Sequence, residues 1–355
     1  MSHPADVQTL ISHATHKVCQ RAFPVYEETA VSARPLNGGA SAKQYFRVYT
    51  PAGTYIALFL SDGRYSSEEH FTPSDLACTS SMDAFVTAYR HMECNVGHVP
   101  TLHEFDPTTR LAIIQDVGDD TLRMLVDKEQ ALSGEIIIQL VDWIAQLQKS
   151  TQSIKHEPPL HRTFGVCPMF MELLEYCNCI AFPQLLDTDS NDRKHLEYEL
   201  LSLAFRVAAH PQALIHRDFS SSNIMLLSGD YYVIDHQDCC LGSMFYDLAS
   251  LLFDYGLRLD HYARSALVER FWSTTDSDAS PISKPEFHRL LAEAAVLRLL
   301  KVAGRRALLA HKTGNSHHRQ LIAPSLETAM TLLTDYPDFK NLLLLLRKYS
   351  NITGL

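Results

Sequence analysis

The segment Leu214-Ile-His-Arg-Asp-Phe-Ser-Ser-Ser-Asn-Ile-Met-Leu-Leu227 says most about the fold of this chain. A short apolar run leads into a polar loop, and Asn223 opens a second apolar run. Tyr231-Tyr-Val-Ile-Asp-His-Gln-Asp238 then places another carboxylate, Asp235, at the end of a third apolar run. Short apolar runs bounded by turn-forming residues such as Ser228-Gly-Asp230 are typical of strands. The pattern predicts a strand, a polar loop and a hairpin.

The polar residues of this segment suit phosphoryl transfer. That reaction needs a group to orient the attacking hydroxyl and metal ligands to neutralise the charge of the nucleotide phosphates. Asp218 suits the first role, and Asn223 with Asp235 suits the second, because Mg²⁺ prefers a few hard oxygen ligands. Either piece alone would equally fit a structural turn or a strand-end cap. Together they favour a phosphotransferase whose three side chains meet at one magnesium-loaded triphosphate.

The pattern of apolar residues in the sequence changes near residue 116. Before that point, short segments rich in aromatic and branched residues predict a small sheet with strands at Tyr45–Tyr49, Thr54–Leu60 and Leu111–Gln115. Beyond it the pattern becomes mainly helical. We therefore predict an α+β protein with a small β-rich lobe at residues 1–116 and a larger α-rich lobe at residues 117–355. Helices are predicted at Asp6–Arg21, Ser81–Met92, Glu135–Lys149, His195–Ala209, Tyr246–Arg258, His261–Phe271, Lys284–Ala310 and Leu326–Leu333.

Composition narrows the class of protein. The chain has 355 residues and a formal net charge of −10, which argues against a nucleic-acid backbone or an anionic membrane as its main partner. The eight cysteines contain no C-x-x-C pair, which argues against a zinc ribbon. No apolar stretch approaches the ~20 residues needed to span a bilayer, and residues 1–20 contain no signal-peptide core. We expect a soluble, cytoplasmic monomer.

These motifs resemble those of the aminoglycoside phosphotransferase and choline kinase superfamily, whose members have a two-lobed protein-kinase-like fold. Within it the chain looks closest to bacterial N-acetylmuramate/N-acetylglucosamine kinases, which phosphorylate the anomeric hydroxyl of cell-wall amino sugars. The resemblance runs over roughly residues 30–335, and the catalytic loop is its most specific part. It rests on His216–Phe219, Asn223, Ile234–Asp238, Tyr246–Leu251, Ala40–Val48 and Leu297–Gly304.

The resemblance implies a role for each site residue. Asp218 would be the base, Asn223 and Asp235 the Mg²⁺ ligands, and the segment from Gly38 to Ser41 a loop covering the phosphates of ATP. A Gly-Gly turn fits an ordinary hairpin equally well. Asp247 would brace the catalytic loop from the start of a helix. The nucleotide-binding residues implied are Gly38, Gly39, Ser41, Lys43 and Gln115, and the cofactors implied are ATP and Mg²⁺.

The chain also departs from the protein-kinase pattern. Tyr55–Leu60 lacks the strand lysine that pairs with phosphates, so either Lys43 or Arg47 supplies that charge or both face solvent. Without that lysine, the pairing role of Glu68 and Glu69 is left open. Asp-His-Gln-Asp replaces Asp-Phe-Gly, and we interpret His236 as a packed or solvated residue rather than a ligand. These departures keep a nucleotide-binding pseudokinase with a regulatory role among the alternatives.

The acceptor is predicted to be a small hydroxylated molecule. Only 12 positions separate Asp235 from Asp247, and no Ala-Pro-Glu element follows, so no platform for a peptide substrate is expected. Acidic residues are not concentrated after Asp247, and the helices from Lys284 onward mix Arg, His and Glu, which favours a neutral or anionic sugar over a polycation. Three hypotheses follow. They are an anomeric amino-sugar kinase, another small-molecule kinase of aminoglycoside, choline or homoserine type, and the pseudokinase.

Overall fold

The computed structural model of the protein describes residues 32–36, 43–60, 82–128, 134–156, 160, 163–181, 191–275, 282–314 and 316–349. The predicted leading helix Asp6–Arg21 and the predicted phosphate loop Gly38–Ser41 lie outside these ranges. Glu68 and Glu69 lie outside them too.

The structure contains every strand that the sequence predicts and others that it does not. In chain order they are β1 (Ser32–Pro35), β2 (Lys43–Thr50), β3 (Gly53–Leu60), β4 (Leu102–Asp106), β5 (Leu111–Gln115), β6 (Gln212–Ile215), β7 (Ile224–Leu227), β8 (Asp230–Val233) and β9 (Cys240–Ser243). The predicted strands Tyr45–Tyr49, Thr54–Leu60 and Leu111–Gln115 are confirmed as β2, β3 and β5. The strand and the hairpin that were predicted around the polar loop at Asp218 are β6 and the β7–β8 pair. Among the strands that were not predicted are β4 and β9.

The helices also follow the predicted periodicity. They are α1 (Met82–Asn95), α2 (Leu122–Asp127), α3 (Gly134–Lys149), α4 (Val166–Tyr176), α5 (Asn191–Ala208), α6 (Tyr246–Leu252), α7 (His261–Thr275), α8 (Lys284–Thr313), α9 (Ser316–Gln320), α10 (Ile322–Leu333) and α11 (Lys340–Tyr349). The sequence did not predict α2, α4, α9 or α11. Within the described ranges, no helix combines the length and the apolar run that a bilayer crossing requires.

The predicted helix Tyr246–Arg258 is wrong in its second half, because α6 ends at Leu252. Asp254 adopts an extended conformation, and its carboxylate accepts a hydrogen bond from the Gly256 backbone N–H at 2.8 Å. This side-chain bond competes with helix continuation and starts a separate 3₁₀ turn at Tyr255–Leu257.

The chain divides into two compact units. The first holds β1–β5, α1 and the segment Ile224–Gln237 with the β7–β8 hairpin. The second holds α2–α11 together with the β6–β9 pair. The mixture of a sheet-based and a helical unit confirms the α+β class. The predicted lobe boundary, with residues 1–116 in one lobe and 117–355 in the other, stays a prediction.

The first unit is built on an antiparallel sheet with strand order β1-β2-β3-β5-β4. Its side chains alternate between two apolar clusters, as the period of a strand requires. One face carries Phe46, Val48, Ala57, Leu111 and Ile113. The other carries Ile56, Leu58, Ala112 and Ile114 against Phe85, Val86 and Tyr89 of α1. Residues 56–58 of β3 are therefore all buried in apolar surroundings, where an unpaired cation would be costly.

The second unit is organised around α8, which is 30 residues long. Ser283 caps its start by accepting a hydrogen bond from the Glu286 N–H, and Gly314 in the left-handed conformation ends it. The helix packs against α4, α5, α6 and α10. At Gly304 a Cβ atom would lie 2.3 Å from the backbone nitrogen of Tyr176 at the end of α4. Glycine is thus required for the close approach of α4 and α8, which positions the charged groups described below.

Candidate active site

The loop that carries Asp218, named the catalytic loop after the role predicted for it, follows β6, which pairs with β9. The Asp247 carboxylate, fully buried in the first turn of α6, accepts hydrogen bonds from the backbone N–H groups of His216 at 2.6 Å and Arg217 at 3.0 Å. Arg217 has a positive φ of 76°, a conformation that non-glycine residues adopt only when their surroundings hold them there. The structure confirms the predicted bracing role of Asp247.

Side chains of the same loop fix it to the core. Arg217 donates to Glu172 Oε1 at 2.6 Å, and its guanidinium lies 4.4 Å from the centre of the Phe164 ring. On the other side, Phe219 stacks on Trp143 with ring centres 5.2 Å apart. The loop that carries Asp218 is therefore held by backbone, ionic and aromatic contacts at once.

Both carboxylate oxygens of Asp218 have a partner. Arg298 of α8 donates to Oδ1 at 2.7 Å, and the Asn223 side-chain nitrogen donates to Oδ2 at 3.0 Å. The same Asn223 nitrogen also bonds the Asp218 carbonyl at 2.9 Å, which locks Asn223 to the loop. The Asp218 side chain is still 46% exposed, whereas that of Arg298 is 12% exposed. Because each carboxylate oxygen has two lone pairs, Asp218 retains the capacity to accept a hydroxyl proton.

Neighbouring cations control the ionisation of Asp218. Burial opposes the charged form, but Arg298 and then Lys301 outweigh it and lower the pKa of Asp218 to about 2. Asp218 is thus fully ionised at neutral pH. A carboxylate of such low basicity is suited to accepting a hydrogen bond from a hydroxyl group.

Buried charged side chains form an ionic cluster close to Asp218. Glu172 Oε1 contacts both Arg217 and Lys301, the latter at 3.1 Å. Burial is the largest single influence and opposes the charge of Lys301, but Glu172 and Tyr246 together outweigh it and raise the pKa of the lysine. The hydroxyl of Tyr246 is buried nearby, and among the described residues it has no hydrogen-bond partner. With Arg298 and Asp218 included, the cluster contains three cations and two carboxylates.

Asp235 belongs to the first unit, so its predicted convergence with Asp218 and Asn223 stays a prediction. Its φ of 68° is again in the left-handed region, two residues after the end of β8. Its Oδ1 lies 3.5 Å from the Tyr45 hydroxyl. The next residue, His236, is fully buried against the rings of Tyr89 and Phe85, with centres 3.8 and 6.2 Å away. His236 is therefore a packed residue, as interpreted from the sequence.

The predicted nucleotide residues are only partly described. Gly38, Gly39 and Ser41 lie outside the described residues, and Lys43 begins β2 with a side chain that also lies outside them. Gln115 ends β5, and its Oε1 accepts a hydrogen bond from the Thr101 N–H at 3.2 Å. Their assignment to nucleotide binding stays a prediction.

Arg47 has a role that the sequence did not predict. Its guanidinium contacts Asp116 at 2.7 Å and Asp119 at 2.8 Å, and its side chain is only 15% exposed. The hydrogen bond to Asp119 is the largest influence on Arg47 and raises its pKa, against an opposing effect of burial. Arg47 thus clamps the segment that follows β5, and neither of the two roles considered for it, solvent-facing or phosphate-binding, describes it.

The donor atoms present suit Mg²⁺. In the part of the chain that the structure describes, no group of three or more His, Cys, Asp or Glu side chains could hold a metal ion. Mg²⁺ is usually held by only one or two protein groups together with substrate phosphates. The Asn223 nitrogen is bonded to Asp218, which leaves its Oδ1 as a hard ligand atom. The carboxylate of Asp235 provides the same kind of donor.

Sequence reasoning missed Arg298, Lys301 and Glu172. The segment Leu297–Gly304 entered the resemblance, but no role was assigned to its charges. The available signal was two cations, spaced i and i+3, in an otherwise apolar stretch of helix. Glu172 likewise interrupts the apolar helix α4. Charges at such positions are rarely buried unless they are paired.

The sequence of the chain is similar to those of known phosphotransferases. The sequence profile of a phosphotransferase enzyme family matches residues 32–278. An N-acetylmuramate/N-acetylglucosamine kinase of Neisseria meningitidis serogroup B is 26% identical over 230 residues, which cover 62% of this chain and 66% of that protein. A kinase of the same name from Pseudomonas putida is 23% identical over 230 residues, covering 62% and 64%. The matches thus span slightly less than two thirds of the relatives' length.

Solved structures share the fold. Choline kinase from Cryptosporidium parvum has a TM-score of 0.61 at 11% identity and covers 94% of this chain and 99% of its own. Aminoglycoside 2′-phosphotransferase-IIIa, solved with GDP, has a TM-score of 0.54 at 13% identity and covers 91% and 99%. These neighbours confirm the predicted kinase-like fold class. Because the profile of the phosphotransferase enzyme family matches most of its length, the chain belongs to that family.

Proposed function

We propose that the protein is an ATP- and Mg²⁺-dependent kinase that phosphorylates the anomeric hydroxyl of an amino sugar such as N-acetylmuramate or N-acetylglucosamine. The observation that carries the proposal is the arrangement at Asp218. A partly exposed carboxylate is held between Asn223 and Arg298 on a loop that Asp247 braces. Such an arrangement fixes the direction in which a hydroxyl group can approach, and positioning is the main contribution a kinase makes.

In the proposed reaction Asp218 accepts a hydrogen bond from the acceptor hydroxyl. The hydroxyl oxygen bonds to the γ-phosphorus of ATP, the bond from that phosphorus to the ADP oxygen breaks, and the hydroxyl proton passes to Asp218. The proton then leaves to solvent through the exposed part of the side chain. A base with a pKa of about 2 favours late proton transfer. That timing fits the loose transition state of phosphoryl transfer, in which little charge develops on the attacking oxygen.

An anomeric hydroxyl matches this weak base. The ring oxygen withdraws electron density, so an anomeric hydroxyl is more acidic than an ordinary alcohol and gives up its proton more readily. Arg298 would act as a positioning residue that keeps Asp218 ionised and correctly oriented.

Asn223 Oδ1 and the Asp235 carboxylate are assigned to Mg²⁺ binding. When bound, the metal supplies positive charge to the phosphates of the nucleotide. The positive φ of Asp235 supports a functional assignment, because strained backbone at a polar residue is frequent at active sites.

The surroundings of Asp218 favour a neutral or anionic acceptor. Arg298 and Lys301 both exert their positive charge on Asp218, and Arg217 lies in the same ionic cluster. A cationic acceptor such as choline or an aminoglycoside would be repelled there unless additional carboxylates faced it. The names of the sequence relatives in Neisseria and Pseudomonas point the same way.

The proposal is tested by incubating the protein with ATP and Mg²⁺ and a panel of acceptors. The panel contains N-acetylmuramate, N-acetylglucosamine, methylthioribose, kanamycin and choline. We expect ADP release with the amino sugars and a sugar-1-phosphate as product, identified by phosphorus NMR. If choline or kanamycin is phosphorylated in preference to the amino sugars, the assignment of an amino sugar as acceptor is wrong. ATP binding without any product across the panel would favour the pseudokinase.

A further inference from the structure

Arg306 of α8 is a half-buried cation. Its guanidinium contacts His318 Nδ1 at 3.0 Å, and among the described residues no carboxylate lies within ion-pair distance of it. Its neighbour Arg305 differs in this respect, because Arg305 faces α4 and contacts Glu175 at 3.4 Å. A half-buried arginine normally has an anionic partner, since desolvation of an unpaired charge is costly.

Charged groups of both signs act on Arg306. Arg123 and Arg298 lie close enough to repel it, and Asp254 and Asp218 close enough to attract it. Burial first, and then Arg123, lower the pKa of Arg306. Arg123 is itself paired with Asp127 at 2.8 Å.

Asp254 attracts Arg306 but does not lie within ion-pair distance of it. Its two carboxylate oxygens accept hydrogen bonds from the backbone N–H groups of Ser221, at 2.5 Å, and Gly256, at 2.8 Å. Ser221 belongs to the catalytic loop, three residues after Asp218. The absence of a side chain at Gly256 leaves room for Arg123, because a Cβ atom there would lie 2.9 Å from the Arg123 Nη1 atom and 2.4 Å from the Ser221 hydroxyl. The cation-rich region around Arg306 is therefore continuous with the catalytic loop.

We propose that Arg306, flanked by Arg123, binds a carboxylate carried by the acceptor, and that it selects acidic sugars such as N-acetylmuramate over neutral ones such as N-acetylglucosamine. The inference rests on the proposed function and adds a specificity-determining residue to it. Arg298 and Arg306 are two turns apart on α8, about 12 Å along its axis. A sugar ring with an acidic side arm, together with the long arginine side chain, spans the distance between a hydroxyl at Asp218 and a carboxylate at Arg306.

The experiment compares kcat/KM for two sugars that share the reacting hydroxyl. N-acetylmuramate carries a lactyl carboxylate that N-acetylglucosamine lacks. In wild type we expect the ratio of the two kcat/KM values to favour N-acetylmuramate. Arg306→Gln should lower this ratio about 10- to 100-fold, the usual effect of losing a charge-assisted hydrogen bond. Arg306→Lys should lower it less, because the charge remains but the bidentate geometry is lost. Arg305→Gln, the matched control, should leave the ratio unchanged.

A second comparison keeps the wild-type fold and changes the substrate. The carboxamide of N-acetylmuramate, which has nearly the same shape without the charge, should be phosphorylated about 10- to 100-fold less efficiently than the acid by wild type. In the Arg306→Gln variant, the carboxamide and the acid should be phosphorylated with about equal kcat/KM. If wild type phosphorylates both sugars but the ratio is the same in Arg306→Gln, the carboxylate assignment is overturned and the proposed function stands. If wild type phosphorylates neither sugar nor the carboxamide, the proposed function itself falls, and this inference falls with it.

Discussion

Replacing Asp247 by asparagine isolates the contact that shapes the catalytic loop. Each oxygen of the buried carboxylate accepts one backbone N–H, from His216 and from Arg217. An asparagine side chain has a single acceptor oxygen, so one of the two N–H groups loses its partner and faces an amide nitrogen instead. Burial also raises the pKa of Asp247, and His216 and the two N–H groups partly offset this effect.

The size of the effect follows from these two bonds. A buried donor left without an acceptor costs about 1–3 kcal/mol, and the new amide N–H adds a second unpaired donor, so we expect a loss of about 2–6 kcal/mol. For a unit of this size each kcal/mol corresponds to about 2–4 °C, which places the fall in the thermal midpoint at about 4–24 °C. Because the positive φ of Arg217 depends on the same bond, kcat should fall as well.

Differential scanning calorimetry and steady-state kinetics measure both effects. Asp142→Asn is the matched control, since Asp142 makes a similar pair of bonds to Arg270 at an exposed position. Exposed ion pairs contribute only about 0.2–1 kcal/mol, so this variant should melt within a few degrees of wild type. If Asp247→Asn unfolds at the wild-type temperature with wild-type kcat, the assignment of Asp247 as the brace of the loop is refuted.

Three further changes test other contacts. Arg298→Gln removes the cation that bonds Asp218, so the pKa of Asp218 should rise and the acidic limb of the kcat/KM profile should move to higher pH; an unchanged limb would contradict this. Asn223→Ala should weaken Mg²⁺ activation, seen as a higher Mg²⁺ concentration at half-maximal rate, and an unchanged requirement would exclude Asn223 as a ligand. Gly304→Ala places a Cβ atom 2.3 Å from the Tyr176 nitrogen and should lower the melting temperature by about 4 °C or more; wild-type stability would show that the two helices separate freely.

The sequence predicted the parts of the fold that depend on local pattern. Alternating apolar residues located β2, β3 and β5, and the 3.6-residue period located α3, α5, α7 and α8. The helix predicted through Arg258 was too long because its apolar period continues past Leu252. The helix ends because the Asp254 carboxylate accepts a hydrogen bond from the Gly256 N–H, a contact that the apolar period does not reveal. Here a specific polar contact overrides the local propensity for an α-helix.

The candidate site was predictable only where its chemistry is contiguous in sequence. Asp218 and Asn223 belong to one short loop, so their pairing follows from spacing. The Arg298–Asp218 pair joins residues 80 positions apart, and only the packing of α8 brings it together. Arg47 shows the same effect in the first unit, because its partners Asp116 and Asp119 lie on another segment of chain. Long-range ion pairs of this kind leave no periodic signal in the sequence.

The most direct test of the central claim is the turnover of Asp218→Asn with ATP, Mg²⁺ and N-acetylmuramate, measured beside its affinity for ATP. Asparagine keeps the shape of the side chain but cannot take the proton of the acceptor hydroxyl. We predict that kcat falls about 10²- to 10⁴-fold while the dissociation constant for ATP stays within about twofold of wild type. Turnover at the wild-type rate in this variant would contradict the assignment of Asp218 as the catalytic carboxylate.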